Sequence, residues 1–149
     1  MLNSQFNGLI KAVFSGILGC SIILSFSACS PKINFLISSV VPAARGTVTV
    51  KTDANKNHVI GIEIINLAEP ERLQPPKKMY MVWMMTDQEI TKNIGQIKTS
   101  TGKLSQTLKA SFQTVSTYKP IKIFITAEND SNVQSPGWEV VLTTDRFRD

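Results

Sequence analysis

Met79-Tyr80-Met81-Val82-Trp83-Met84-Met85 decides the fold of this chain, because every one of its side chains is apolar or aromatic. A β-strand directs alternate side chains to opposite faces of its sheet. Apolar residues at both parities therefore predict a strand that is covered on both faces. We expect this stretch to form the central and most buried strand of the core.

The segments around this stretch alternate apolar and polar residues, which is typical of strands with one face in water. Prolines between residues 69 and 78 remove backbone donors, so we expect an exposed crossover between sheets there. Polar turn residues fill 53–57 and 129–132, and Pro136-Gly137 marks a further turn. The other predicted strands are 35–41, 46–51, 58–67, 94–98, the segment with Leu104, Leu108, Ala110 and Phe112 on one face, 121–127, and the segment with Trp138, Val140 and Leu142.

These patterns predict an all-β fold: an antiparallel two-sheet β-sandwich of about seven or eight strands, with a closed β-barrel as the alternative. The chain has 149 residues, and without its first 28 about 120 remain, which suits one domain. We place the sandwich domain at residues 33–144 and a frayed tail at residues 145–149.

Residues 12–29 form an uncharged apolar run that follows Lys11 and closes with small side chains directly before Cys29. This layout predicts a lipoprotein signal peptide at residues 1–28, lipidation of Cys29 with fatty acids such as palmitate, and a short tether at residues 29–32. Ordinary secretion with cleavage after Ser27 and an uncleaved membrane anchor are the alternatives.

Export through the general secretory route would place the domain in the bacterial cell envelope, attached to a membrane through the lipid on Cys29. Ser30 follows that cysteine where an aspartate marks inner-membrane retention, so we favour the outer membrane. Cys20 lies in the predicted leader, so we expect no disulfide in the mature domain.

The formal net charge is +5, from 16 Lys and Arg against 11 Asp and Glu. The basic residues are dispersed, which is typical of solvated faces, and weak attraction to anionic lipid headgroups is the functional alternative. Because the domain is expected outside the cytoplasm, nucleic acid is not a predicted partner.

Core and turn positions of the central strand and its flanks resemble a known module. They are Ile65-Asn66-Leu67, Tyr80-Met81-Val82-Trp83, Gly95, Gly102, Ile125-Thr126-Ala127-Glu128 and Pro136-Gly137. This pattern resembles the extracytoplasmic domain of anti-sigma-K factors, here as a stand-alone lipoprotein. The resemblance implies that this chain has the fold of that extracytoplasmic domain. A domain tethered through Cys29 cannot reach a cytoplasmic sigma factor, so no sigma-binding residue carries over.

No catalytic constellation is recognisable, so we predict a protein that is not an enzyme and has no cofactor. His58 is the single histidine, and a hydrolase that uses it is one alternative. A periplasmic Cu(I)-handling protein is another, since Met79, Met81 and Met85 supply soft thioether sulfur, although methionine also fills cores. We interpret Glu128, Glu139 and the other carboxylates as outward-facing charges.

The remaining prediction is an interaction or sensing module for an unknown envelope protein or ligand. Contacts are expected at loop tips rather than in the core. The candidate partner-binding residues are Glu69, Glu71, Arg72, Lys77 and Lys78 in the first loop, and Asn129, Asp130 and Asn132 in the second.

Overall fold

The computed structural model describes residues 30–101 and 107–147, which form nine β-strands and one short 3-10 helix, Pro70–Arg72. The strands are β1 (Lys32–Asn34), β2 (Arg45–Thr52), β3 (His58–Ile65), β4 (Met79–Thr86), β5 (Thr91–Ile97), β6 (Thr99–Thr101), β7 (Leu108–Ser116), β8 (Pro120–Glu128) and β9 (Val140–Thr143). Two of them, β1 and β6, have only three residues, and neither was predicted as a separate strand.

The strands form two antiparallel sheets rather than a closed barrel. One sheet has five strands in the order β1-β2-β3-β7-β6, and the other has four in the order β5-β4-β8-β9. This confirms the predicted two-sheet sandwich. Residues 66–78 connect β3 of the larger sheet to β4 of the smaller one, which confirms the predicted crossover.

Strand β4 is the central buried element, as predicted. It pairs with β5 on one side and with β8 on the other. Tyr80, Val82 and Met84 point into the main core between the sheets, and Met81 and Trp83 are buried on the opposite face. The smaller sheet is therefore covered on both faces at its centre.

The main core lies between the inner faces of the two sheets. Alternation in β2 and β3 places Val48, Ile60, Ile62 and Ile64 on that inner face, as their period of two predicts. Each large apolar side chain buried in this way contributes roughly 1.5–3 kcal/mol to folding. The partners from the smaller sheet include Val82, Met84, Ile97, Ile123, Ile125 and Leu142.

The chain changes sheets at a corner between β5 and β6, where only Lys98 separates the two strands. A bulge in β5 precedes this corner, since Val82 pairs with Gly95 and Trp83 with Asn93. Gly95 has a φ of 140°, and a Cβ there would lie 2.8 Å from the Phe112 ring of the opposite sheet. Glycine thus permits both the bulge and the close approach of the sheets.

The prediction of a strand at residues 35–41 is wrong. Phe35 forms a single bridge with Thr144, and the Leu36 N–H donates to the Thr143 carbonyl at 2.8 Å. The chain therefore passes from β1 in the larger sheet to the edge of β9 in the smaller one. Ser38 then ends the extended run, because its hydroxyl donates to the Val141 carbonyl and accepts from the Val41 N–H.

Two expectations for the C-terminal part also differ from the structure. Strand β9 begins at Val140, and its register with β8 shifts so that Val141 and Leu142 are both buried, which breaks the predicted alternation from Trp138. The tail is packed as far as it is described. The Phe147 N–H donates to the Ile121 carbonyl at 2.7 Å and its ring packs on the core.

Strand directions give the sandwich two ends. The proximal end holds Ser30, the turns at 53–57, 87–90 and 117–119, and residues 145–147. The distal end holds the two long connections, residues 66–78 and 129–139. Eight residues of β4 separate the ends, a distance of about 26 Å at 3.3 Å per residue.

Candidate functional site

The structure brings the two predicted partner-binding loops together at the distal end. The Lys78 N–H donates to the Glu128 carbonyl at 3.0 Å, which joins the first loop to the start of the second. The Lys77 ammonium lies 3.1 Å from Glu139 Oε2, and the two side chains are only 13% and 12% exposed. An ion pair so withdrawn from water is weakly screened by salt. It therefore fixes the spacing of the two loops.

A buried polar chain anchors the second loop to the outer face of the smaller sheet. The Trp83 Nε1–H donates to Thr126 Oγ1 at 2.8 Å, and the Thr126 hydroxyl donates to Glu128 Oε1 at 2.6 Å. The same carboxylate oxygen accepts the Gly137 N–H at 2.8 Å. Glu128 is thus a buried acceptor with two donors, which corrects its interpretation as an outward-facing charge. Glu139, held by Lys77, requires the same correction.

The loop also closes a second, smaller apolar cluster. Met81, Trp83 and Phe124 form this cluster on the outer face, and Val133 from the loop packs against it. The rings of Trp83 and Phe124 stack with their centroids 6.4 Å apart. The loop at 129–139 is therefore a cover for the sheet as well as a surface element.

Gly137 lies directly against the carboxylate of Glu128. A Cβ at this position would lie 2.8 and 2.9 Å from the two carboxylate oxygens of Glu128. Because Glu128 is held by Thr126 and by the Gly137 N–H, it cannot move away without losing these bonds. Glycine is required here for steric reasons.

Trp138 follows Gly137 and is 88% exposed. The sequence placed it in one strand with Val140 and Leu142, whereas β9 begins at Val140 and Trp138 lies before it. The Gly137 N–H donates to Glu128 and the Glu139 carbonyl accepts the Ala127 N–H at 3.4 Å, so the indole is presented on a backbone that is held on both sides. The sequence signal that points to it is a tryptophan directly after a Pro-Gly turn, outside any apolar run.

Two further exposed apolar residues lie on β9 or beside its edge. Val140 is 41% exposed and is two residues from Trp138 along the chain. Ile37 is 77% exposed and precedes Ser38, whose hydroxyl binds the Val141 carbonyl. Val140 and Ile37 are therefore exposed apolar residues on and beside β9, the outer strand of the smaller sheet.

The other predicted loop residues form a polar rim around the distal end. Glu69 and Arg72 make an ion pair at 2.9 Å, and Glu71 and Lys78 are exposed. A cleft of about 410 Å³ lies between this loop and β5, with Glu69, Glu71, Lys78 and Lys98 in its walls. In the second loop Asn129, Asp130 and Asn132 are exposed, and the Asn132 N–H donates to Asp130 Oδ1 at 2.9 Å.

Tyr80 supports the first loop from beneath. Its hydroxyl donates to the Ala68 carbonyl at 2.9 Å. Burial raises the pKa of Tyr80 well above its ordinary value, and the carboxylates of Glu71 and Glu139 add to this effect. The phenol is therefore kept neutral and remains a hydrogen-bond donor.

The structure does not bring the three candidate Cu(I) ligands to one point. Met79, Met81 and Met85 lie along one extended strand, so the first and last are about 20 Å apart. Met81 packs on Trp83, and Met85 Sδ lies 3.9 Å from a guanidinium nitrogen of Arg146. In the described part of the chain no group of three or more His, Cys, Asp or Glu side chains is arranged for a metal ion.

His58 begins β3 at the proximal end, half-buried and paired with Thr52 and Ser116. The Asp53 carboxylate, five residues earlier in the turn, accepts the backbone N–H groups of Asn55 and Asn57. These bonds lower the pKa of Asp53. That carboxylate is thus committed to the turn, and a hydrolase role for His58 stays a prediction.

The predicted lipidation site, Cys29, and the leader at 1–28 lie outside the described residues. Within residues 30–101 and 107–147, no helix is long and apolar enough to cross a membrane. In comparisons with protein-family models, curated proteins and solved structures, no match was found. The resemblance to the outer domain of anti-sigma-K factors therefore stays a hypothesis.

Tyr80→Phe removes the bond to Ala68 and should lower the free energy of unfolding by about 1 kcal/mol at neutral pH. The wild-type chain should lose stability as the pH rises above about 10, because the unfolded phenol releases its proton first. The variant should show a smaller alkaline loss. Urea unfolding across this pH range checks the prediction, and parallel losses in both proteins would contradict it.

Proposed function

We propose that this protein is a bacterial envelope lipoprotein that is held at the membrane through Cys29 and binds a partner with the distal end of its β-sandwich. The observation that supports this proposal most strongly is the placement of Trp138. It is almost fully exposed on a backbone tied to the core, at the end opposite Ser30.

The direction of the chain suits such a role. Ser30, next to the predicted lipid attachment site, lies at the proximal end, and Trp138 lies at the other end of strands about 26 Å long. A domain anchored by Cys29 would present its distal end away from the bilayer. The partner would therefore be approached from the envelope space.

The chemistry of the distal end favours a protein or peptide partner. Tryptophan is one of the residue types that most often contribute a large share of the binding energy in protein interfaces. Polar and charged residues of both signs lie on the two loops of the same end, with the ion pair of Glu69 and Arg72 on one loop and Asp130 on the other. An apolar anchor within a mixed polar rim is the usual anatomy of such interfaces.

No catalytic role is part of this proposal. The buried acidic groups of the distal end, Glu128 and Glu139, are occupied by structural partners. Both therefore serve to position the loop rather than to transfer protons to a substrate. The proposed function is binding or sensing without turnover.

Cys29→Ser should abolish attachment of fatty acid and release the protein from the membrane fraction. The sulfur of Cys29 is the proposed acylation site, and at least two acyl chains are needed for stable anchoring. Metabolic labelling with palmitate and fractionation of the native host check this prediction. Cys20→Ser is the matched control and should retain both label and location. Equal labelling of the wild type and Cys29→Ser would contradict lipidation.

Replacing Trp138 with a photo-cross-linking amino acid should capture a partner in intact cells. The same replacement of Val115, which is 58% exposed but lies on β7 toward the proximal end, is the control. Once the captured protein is identified, Trp138→Ala should weaken its binding about 30-fold, which corresponds to a loss of about 2 kcal/mol. Unchanged affinity in Trp138→Ala would remove the distal end from the binding site.

A further inference from the structure

We infer that the proximal end of the sandwich rests on anionic lipid headgroups, so that the domain stands on the bilayer instead of swinging freely on its tether. This inference rests on the proposed lipid anchor at Cys29. It adds a second contact with the membrane, made by the folded domain itself.

The first argument is the shortness of the tether. Strand β1 begins at Lys32, so three Cα-to-Cα steps separate it from Cys29, and these span at most about 11 Å. Pro31 already lines a groove of about 230 Å³ between the sheets, beside Thr52, His58 and Phe147. The proximal end is therefore held within a short distance of any membrane that carries the lipid.

The second argument is the distribution of charge among the described residues. The basic residues at the proximal end are Lys32, Lys51, Lys56, Lys92, Lys119, Lys122 and Arg146, and the acidic ones are Asp53, Asp87, Glu89 and Asp145. The rest of the described chain has equal numbers of basic and acidic side chains. The positive excess of the folded domain is thus concentrated at this end, where it complements an anionic lipid surface.

Two of the acids at this end are already engaged. The Asp53 carboxylate accepts N–H groups from Asn55 and Asn57 within its own turn. Glu89 pairs with Arg146 at 2.9 Å, so these two charges offset each other. Lys32, Lys51 and Lys56, by contrast, are exposed. Lys32 lies at the start of β1, and Lys51 and Lys56 lie in the β2–β3 hairpin.

The third argument is the exposed aromatic and apolar side chains between these charges. Tyr118 is 40% exposed, and the Lys92 ammonium lies 4.2 Å from the centre of its ring. Ile90 is 47% exposed in the turn at 87–90. This turn is joined to the turn at 117–119, which holds Tyr118, by a hydrogen bond from the Asp87 N–H to the Lys119 carbonyl. Tyrosine with a nearby lysine is the pair of residue types found at the level of lipid headgroups.

The test uses the lipid-carrying protein, purified from its host and reconstituted into phosphatidylethanolamine–phosphatidylglycerol vesicles with bromine on the upper acyl chain. The reporter is the double variant Tyr118→Trp with Trp138→Phe. The emission of the introduced tryptophan, obtained by subtracting that of Trp83 measured in Trp138→Phe alone, should fall about two-fold relative to unbrominated vesicles, because interfacial indoles lie within reach of these bromines. The wild type, whose exposed tryptophan is at the distal end, should show no such loss.

Charge reversal separates electrostatic contact from simple proximity. Lys32→Glu, Lys51→Glu and Lys56→Glu together should cancel most of the quenching of the reporter. The matched triple at exposed distal positions, Lys78→Glu, Lys98→Glu and Lys109→Glu, should leave it in place. Neutral phosphatidylcholine vesicles or high salt should act like the proximal triple, since both remove the attraction.

Hydrogen exchange of the wild type in the same vesicles gives a readout that needs no substitution. The backbone amides of the turns at 53–57 and 117–119 should exchange several-fold more slowly than in detergent, while those at 129–132 should not change. If the protein carries lipid but the reporter is unquenched and these turns are unprotected, this inference is overturned while the anchor stands. If the protein carries no lipid, the anchor itself fails, and palmitate labelling reveals this separately.

Discussion

Burial of the smaller sheet on both faces is the constraint on which the rest of the structure depends. Strands β4 and β8 supply apolar residues to the main core and also to the outer cluster of Met81, Trp83 and Phe124. A sandwich of two sheets covers only the inner face. The outer face therefore requires a cover from the chain itself, and residues 129–139 provide it.

The buried carboxylate of Glu128 is one of the groups that hold the cover, and it couples stability to the proposed binding surface. Glu128 accepts bonds from Thr126 and from the Gly137 N–H, and Thr126 in turn binds the Trp83 indole. The residue after Gly137 is Trp138. The bond that closes the loop over the core thus also sets the backbone from which the exposed indole projects, while the positive excess of charge lies at the opposite end.

Much of this fold could be predicted from local patterns, because side-chain alternation determines which face of a strand is buried. Apolar residues at both odd and even positions of β4 predicted that this strand is buried on both faces. Alternation in β2 and β3 predicted which of their side chains lie on the inner face of the sheet. The loops of the candidate site were also placed correctly between strands. Their meeting at one end depends on strand order, which no local pattern encodes. The passage of Phe35 to the edge of β9, the burial of Glu128 and the exposure of Trp138 depend on tertiary contacts and were not predicted.

The most direct test of this account is acrylamide quenching of Trp83 in a Trp138→Phe background, where Trp83 is the remaining tryptophan. In that background the Trp83 indole should be shielded from the quencher. Adding Glu128→Gln, which keeps an acceptor for the Gly137 N–H, should leave it shielded, whereas adding Glu128→Ala should open it to the quencher. Strong quenching of Trp83 before any change at Glu128, or equal shielding in all three proteins, would contradict the claim that Glu128 seals the loop over the sheet.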